Sequence, residues 1–236
     1  MIIKNLITGK FIERPNRFLI LFESNNKKFE AHLKDPGRLK ELLIPNVKLL
    51  LKAASNTAHR KTKFDVLGVL HQDRWVIINS GIHSNIAANI IESDIFKELK
   101  GYTVEKREYT YGKSRIDFLL SSGKDKMLLE VKGCTLVEDG LALFPDAPTQ
   151  RGRKHVEELT HAREKSFNCA VLFLIMREDA EKFSPNYKMD PEFSNALKIA
   201  DEKGVQILAY SFKNILKNGE LEIKPFKNVK IELFKD

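Results

Sequence analysis

The stretch "SRIDFLLSSGKDKMLLEVKG", residues 114–133, decides how this chain is read. Its two short apolar runs, "RIDFLL" and "MLLEVKG", flank a segment rich in turn residues, so it reads as a β-hairpin. Each run nevertheless carries charge that a buried sheet disfavours: Asp117 in the first, Glu130 and Lys132 in the second. Side chains alternate along a strand, so Glu130 and Lys132 lie on one face. Two carboxylates on neighbouring strands repel one another and are costly to bury unless a cation neutralises them. A divalent ion such as Mg²⁺ or Mn²⁺ takes one or two carboxylates, keeps several waters and accepts phosphate oxygens. The expected metal ligands are therefore Asp117, Glu130 and the backbone carbonyl of Val131, with Lys132 acting on water or on developing phosphate charge.

Outward from the hairpin, the order is helix, strand, hairpin, helix, strand, helix, strand, which describes an α/β domain with a mixed sheet. The preceding helix is expected to be capped by Ser84 or Asn85. Its apolar residues Ile86, Ile90, Ile91, Ile95 and Leu99 recur at helical spacing, and Gly101 closes it. Pro148 and Thr149 introduce a second helix running to about Ser166, "CAVLFLIM" reads as a fully buried strand, and "PEFSNALKIADEKG" as a third helix. "VQILAYSF" is another buried strand, and a last hairpin turns at "KNGE".

Residues 1–82 form a separate, mainly β region. "RFLILFES" and "KFEAHLK" flank the turn "NNK", "DPGRLKELLI" reads as a short helix with Asp35 as N-cap, and a second hairpin turns at Gln72 and Asp73. Five or six short strands with a helix after the third match an OB-like barrel, giving an N-terminal domain over 1–82 and a C-terminal domain over 83–236. The whole is an α+β chain of two domains.

Charge is distributed unevenly. Residues 1–80 hold 15 Lys and Arg against 7 Asp and Glu, and the rest of the chain is balanced at 25 against 25, so the whole excess of +8 sits in the N-terminal third. Such asymmetry suits a polyanion, above all nucleic acid. Lys34, Arg38, Arg60, Lys61 and Lys63 are the expected backbone-contacting residues there. Phe64 and Trp75 are read as core residues before they are read as stacking platforms. The two cysteines have no metal-ligand spacing, which argues against zinc fingers and disulfide frameworks and suits a reducing cytosol. No apolar run reaches transmembrane length, so a soluble cytoplasmic protein without membrane contact is expected. The sequence leaves a homodimer open, and His59, His71, His83 and His161 form no constellation.

"RID" followed by "EVK" across a hairpin resembles the PD-(D/E)xK nuclease superfamily, with Ile116 where a proline often precedes the acid. The segments "DPGRL", "RKTKFDVLGV", "LLEVKGCTL" and "FPDAPTQRGRKHVEEL" resemble the sugar fermentation stimulation protein (SfsA) family along nearly the whole chain. That resemblance implies an OB-like domain followed by a nuclease-like mixed sheet flanked by helices, in a family described as DNA-binding and linked to sugar-utilisation regulation. It implies no proven cleavage.

The nuclease class also implies an extra acid from the helix before the hairpin, here Glu92, and a Gln or basic residue on the helix after it, here Gln150. On that second helix, Gln150 and Lys154 share one face and Arg151 and His155 another, near an N-terminus whose dipole favours phosphate. Arg151, Arg153 and Lys154 are the expected nucleic-acid contacts. The reading is a metal-dependent deoxyribonuclease. Its rivals are a DNA-binding regulator retaining the fold without turnover and an enzyme acting on a small phosphorylated or acidic metabolite.

Overall fold

The computed structural model describes residues 1–55 and 60–233, and the chain divides into two compact units. The first comprises residues 1–81 with two later segments, 175–179 and 211–227; the second comprises 82–174, 180–210 and the residues from 228 onward.

The first unit begins with β1 (Ile2–Ile3), β2 (Leu6–Asn16), β3 (Leu19–Ser24), β4 (Lys27–His32), β5 (Lys48–Ala53), β6 (Phe64–His71) and β7 (Arg74–Ile77). Sheet order is β4-β3-β2-β5-β6-β7, and β4 pairs again with β6 in parallel, which closes β2 to β6 into a five-stranded barrel of the OB type. Its two tight hairpins turn where expected, at Asn25 and Asn26 (φ 51° and 58°) and at Gln72 and Asp73 (φ 46° and 60°). Paired positive φ values match the right-handed twist of the flanking strands. Phe11, Ile20, Phe22, Leu49, Leu51, Val66 and Val69 fill the interior. Phe64 packs edge-on against Phe22 at 5.5 Å and Phe29 at 5.7 Å, so its ring belongs to this core.

The expected helix over Asp35–Ile44 does not form; the segment is a series of turns. The Asp35 carboxylate accepts from Gly37 N at 2.7 Å, a local turn that competes with helix capping. Leu39 has φ of 51°, which no α-helix continues through. The guanidinium of Arg14 also takes the carbonyls of Asp35, Gly37 and Arg38, at 3.0, 2.8 and 2.9 Å, that a helix would have used internally.

The second unit continues with α1 (His83–Glu92), β8 (Thr103–Tyr111), β9 (Ser114–Ser122), β10 (Asp125–Cys134), β11 (Val137–Glu138) and β12 (Leu141–Phe144). Then come α2 (Gln150–Glu164), β13 (Asn168–Ile175), β14 (Lys182–Pro185), α3 (Pro191–Glu202), β15 (Gln206–Lys217), β16 (Glu220–Asn228) and β17 (Lys230–Ile231). Of these, β15 from residue 211 on and β16 up to residue 227 count with the first unit. The second unit's main sheet runs β15-β13-β10-β9-β8, with β13 paired on both edges and residues 169–174 all buried. A small sheet of order β11-β12-β14-β17 mixes antiparallel and parallel pairs. Among the described residues no helix is long and apolar enough to cross a membrane.

Helix α1 is shorter than its apolar pattern suggested. It ends at Glu92, the chain turns through Asp94 (φ 51°), and Ile95 is left 58% exposed while Leu99 is buried from a separate single turn. Neither Ser84 nor Asn85 caps it: both lie inside the helix, and Asn85 accepts from Arg107 of β8 at 2.7 Å. Helix α2 begins as expected, Thr149 accepting from Gly152 N at 3.0 Å.

The buried His83 at the start of α1 gives a stability prediction. Burial alone pushes its imidazole down to about 4. The unfolded chain, with an ordinary histidine, therefore takes up the proton first, so stability contributed by neutral His83 is complete above pH 6.5 and is lost as pH falls towards 4. The loss is roughly 3 kcal/mol over that window. Urea unfolding at pH 7.5 and pH 4.5 should show wild type weakening relative to His83→Leu; parallel losses would refute the assignment.

Candidate functional site

The hairpin of β9 and β10 pairs antiparallel with Asp125 opposite Ser122 and Leu129 opposite Phe118. One step further the same register sets Glu130 against Asp117, and opposite residues of an antiparallel pair project to the same face. Sequence alternation and hairpin register thus bring the two carboxylates together.

Glu130 is only 2% exposed. Its Oε1 accepts from the Lys132 ammonium at 2.5 Å and lies 2.6 Å from Nδ1 of His155, which reaches in from α2. Its Oε2 is buried and has no hydrogen-bond partner. Asp117 is half-buried, and its Oδ2 accepts from Val131 N at 2.7 Å. Burial, then the neighbouring Glu130 charge, push the Asp117 carboxyl up to about 6. Burial acts on Glu130 in the same sense, but Lys132 and His155 outweigh it and hold that carboxyl below its ordinary value. One carboxylate is thus kept ionised and its neighbour is poised near neutrality.

This donor set fits a divalent cation. Glu130 Oε2 is an orphaned buried oxygen, Asp117 opposes it, and hard oxygen donors suit Mg²⁺, Mn²⁺ or Ca²⁺. The protein's contribution is limited to these two acids and whatever backbone carbonyl joins them. Among the described residues no group of three or more His, Cys, Asp or Glu is arranged to hold a metal. Glu92, expected on a partly buried face, is instead the exposed last residue of α1 and does not complete such a set.

Helix α2 is fixed at its start by one buried carboxylate. Asp190 accepts from Thr149 N at 2.7 Å through one oxygen and from Phe193 N at 2.9 Å through the other, tying the first turns of α2 and α3 together. Val156, Leu159 and Ala162 anchor the buried face of α2. This sets His155 on Glu130, and Arg151 donates from Nε to His155 Nε2 at 3.4 Å. Gln150, Arg151 and Lys154 line a cavity of about 380 Å³ beside it. His155 is the residue that sequence reasoning undervalued. Its signal was the spacing of four from Arg151, but the carboxylate it meets is 25 positions away.

Arg153 does not join this face. It pairs with Glu192 of α3 and with Glu157 at 3.5 Å, so its charge is already engaged. In the barrel, Arg60 is likewise committed, donating to both oxygens of Asp65 at 2.6 and 3.3 Å, with Lys34 at 3.7 Å. Burial would raise the Asp65 carboxyl, yet Arg60 and Lys34 hold it below its ordinary value. Arg38, Lys61 and Lys63 are exposed. His59 lies outside the described residues.

A closed five-stranded barrel and a helix-flanked sheet with an acid-bearing hairpin define the class: an OB domain with an α/β partner. Residues 12–78 match the family description "SfsA N-terminal OB domain", and residues 81–218 match "Sugar fermentation stimulation protein RE domain". The chain belongs to the sugar fermentation stimulation protein (SfsA) family. It is 50% identical over 231 residues to a sugar fermentation stimulation protein homolog of Methanothermobacter thermautotrophicus, covering 98% of this chain and 95% of that one. It is 47% identical over 228 residues to a homolog of Methanosphaera stadtmanae, covering 95% and 94%. The solved structure of Pyrococcus furiosus SfsA in complex with Ca²⁺ is similar at TM-score 0.90 and 29% identity, covering 98% of each chain.

Gly133 gives a second prediction. A Cβ there would lie 1.9 Å from Cε1 of His83, so the glycine is what lets α1 pack against the end of the acid-bearing strand. Gly133→Ala should destabilise the chain by about 1–3 kcal/mol through forced displacement. Denaturant unfolding checks it, and wild-type stability in the variant would contradict the packing argument.

Proposed function

We propose that this chain is a DNA-binding phosphodiesterase that uses a divalent metal, Mg²⁺ or Mn²⁺, at Asp117 and Glu130. The observation that carries the reading is the buried, unpartnered Oε2 of Glu130 facing a second carboxylate. A buried carboxylate oxygen left without a partner is unfavourable even when the other oxygen is paired, and a cation is the group that relieves it. The Ca²⁺ bound to the Pyrococcus furiosus relative supports a divalent site in this family.

Asp117, Glu130 and the Val131 carbonyl would hold the ion, which when bound supplies Lewis-acid polarisation of a phosphate oxygen. Lys132 places an ammonium against Glu130 Oε1 at 2.5 Å. One of its three protons is used there, leaving donors to orient an attacking water or to meet negative charge growing on the phosphate. His155 holds Glu130 from the far side, fixing the carboxylate without occupying Oε2. Gln150, Arg151 and Lys154 contact phosphate at the start of α2, where the helix dipole adds to their charge. Exposed Arg38, Lys61 and Lys63 of the barrel supply affinity that does not depend on base sequence. Lys34 and Arg60 contribute less, because Asp65 shares their charge.

The test is cleavage of single-stranded, duplex and branched DNA with Mg²⁺ or Mn²⁺. Asp117→Ala should abolish products while folding normally, and Lys132→Ala should abolish them at a cost in stability, because it leaves Glu130 buried without its ammonium. His155→Ala should keep activity but reduce it about 10–100-fold, as expected for a residue that orients a ligand. Intact DNA on every substrate, with metal-independent binding by all variants, would sink the catalytic reading and leave a non-catalytic DNA-binding regulator. Binding itself should weaken steeply with salt.

A further inference from the structure

We propose that the cavity beside His155 is a dedicated pocket for a nucleic-acid phosphate flanking the one held at Asp117 and Glu130. The proposal rests on the phosphodiesterase reading of that site. Two elements build the pocket: Lys113 from the turn between β8 and β9 with Ser114 and Arg115 at the start of β9, and Gln150, Arg151 and Lys154 from the first turns of α2.

Its chemistry is one-sided. Four permanent cations and no carboxylate line it, so the preferred occupant is an anion. The cations are not neutralised by buried partners. Lys154 donates to the Lys113 carbonyl at 3.3 Å, Arg115 pairs with Glu108 at 3.5 Å with both side chains well exposed, and Glu158 accepts from the Lys113 amide at 3.3 Å rather than from a lining cation.

The second observation is independent of charge. Ser114 is only 5% exposed, yet its hydroxyl has no hydrogen-bond partner. A buried hydroxyl left without a partner opposes folding, so a serine where an alanine would fit better calls for a ligand to satisfy it. It lines the same cavity as the cations, and a phosphate oxygen accepting from Oγ would complete it.

The wall shared with the hairpin site is His155, whose Nδ1 lies 2.6 Å from Glu130. His155 lines the pocket and touches Glu130, so the two sites adjoin across one imidazole ring. No Phe, Tyr or Trp lines the pocket, and the His155 ring is already held by Glu130 and Arg151, so the pocket reads backbone rather than base. The occupant is either an internal phosphodiester or a terminal phosphomonoester; both present the same non-bridging oxygens.

The test is fluorescence anisotropy on the full chain in EDTA, with three short single strands of one sequence: 5′-phosphorylated, 3′-phosphorylated and hydroxyl at both ends. Ser114→Ala should raise Kd about tenfold, as for a hydrogen bond to a charged group, while the melting midpoint stays level or rises. Exposed Arg151→Gln should weaken the same ligands without affecting folding. Equal losses on all three strands assign an internal diester, and a loss confined to one phosphorylated strand assigns that terminus. Unchanged affinity of Ser114→Ala for every strand overturns the pocket. Because no turnover is measured, a chain that never cleaves DNA but shows the Ser114 effect keeps the pocket and loses the nuclease reading, and cleavage without that effect does the reverse.

Discussion

The second unit is organised around one unfavourable placement: a glutamate 2% exposed, set against an aspartate on the adjoining strand. Burying an ionised carboxylate costs several kcal/mol, and a second acid beside it adds repulsion. The fold answers with Lys132 from the same strand, His155 from α2 and the Val131 amide on Asp117. These contacts engage Glu130 Oε1 and Asp117 Oδ2 and leave Glu130 Oε2 buried without a partner.

Holding that arrangement requires rigid neighbours. Asp190 fixes the starts of α2 and α3 at once, so His155 meets Glu130 from a helix whose first turn cannot drift. Gly133 leaves the room that His83 occupies at the head of α1. Neither residue touches the acids, and both shape the cradle through backbone position. His83 has only burial acting on its imidazole, which marks it as a packed neutral group rather than part of the charged cluster.

The basic character of the chain is less available than its count suggests. Arg60 and Lys34 share Asp65, and Arg153 is taken by Glu192 and Glu157. Charge counting treats every lysine and arginine alike, but an ion pair already formed lowers what remains for a polyanion. Among the described residues, the cations without an ion pair include Arg38, Lys61 and Lys63 of the barrel and Arg151 and Lys154 at the start of α2.

The acids and the lysine of the hairpin were legible in the sequence, because period-two alternation and a short turn determine which side chains share a face. The tight turns at Asn25–Asn26 and Gln72–Asp73 were legible for the same local reason, as was the start of α2 after Pro148 and Thr149. The missing helix after Asp35 was not. Its propensities were sound, but Arg14, 21 positions earlier, takes its carbonyls, and a long-range hydrogen bond leaves no trace in local composition. Nor could the sequence show that α1 stops at Glu92, that Arg153 turns to α3, or that His155 seats on Glu130. Local sequence thus determined the elements and the acidic motif, while tertiary structure alone decided which charges are spent, which oxygen is left open and which hydroxyl awaits a partner, since each depends on residues that only folding brings within hydrogen-bond reach.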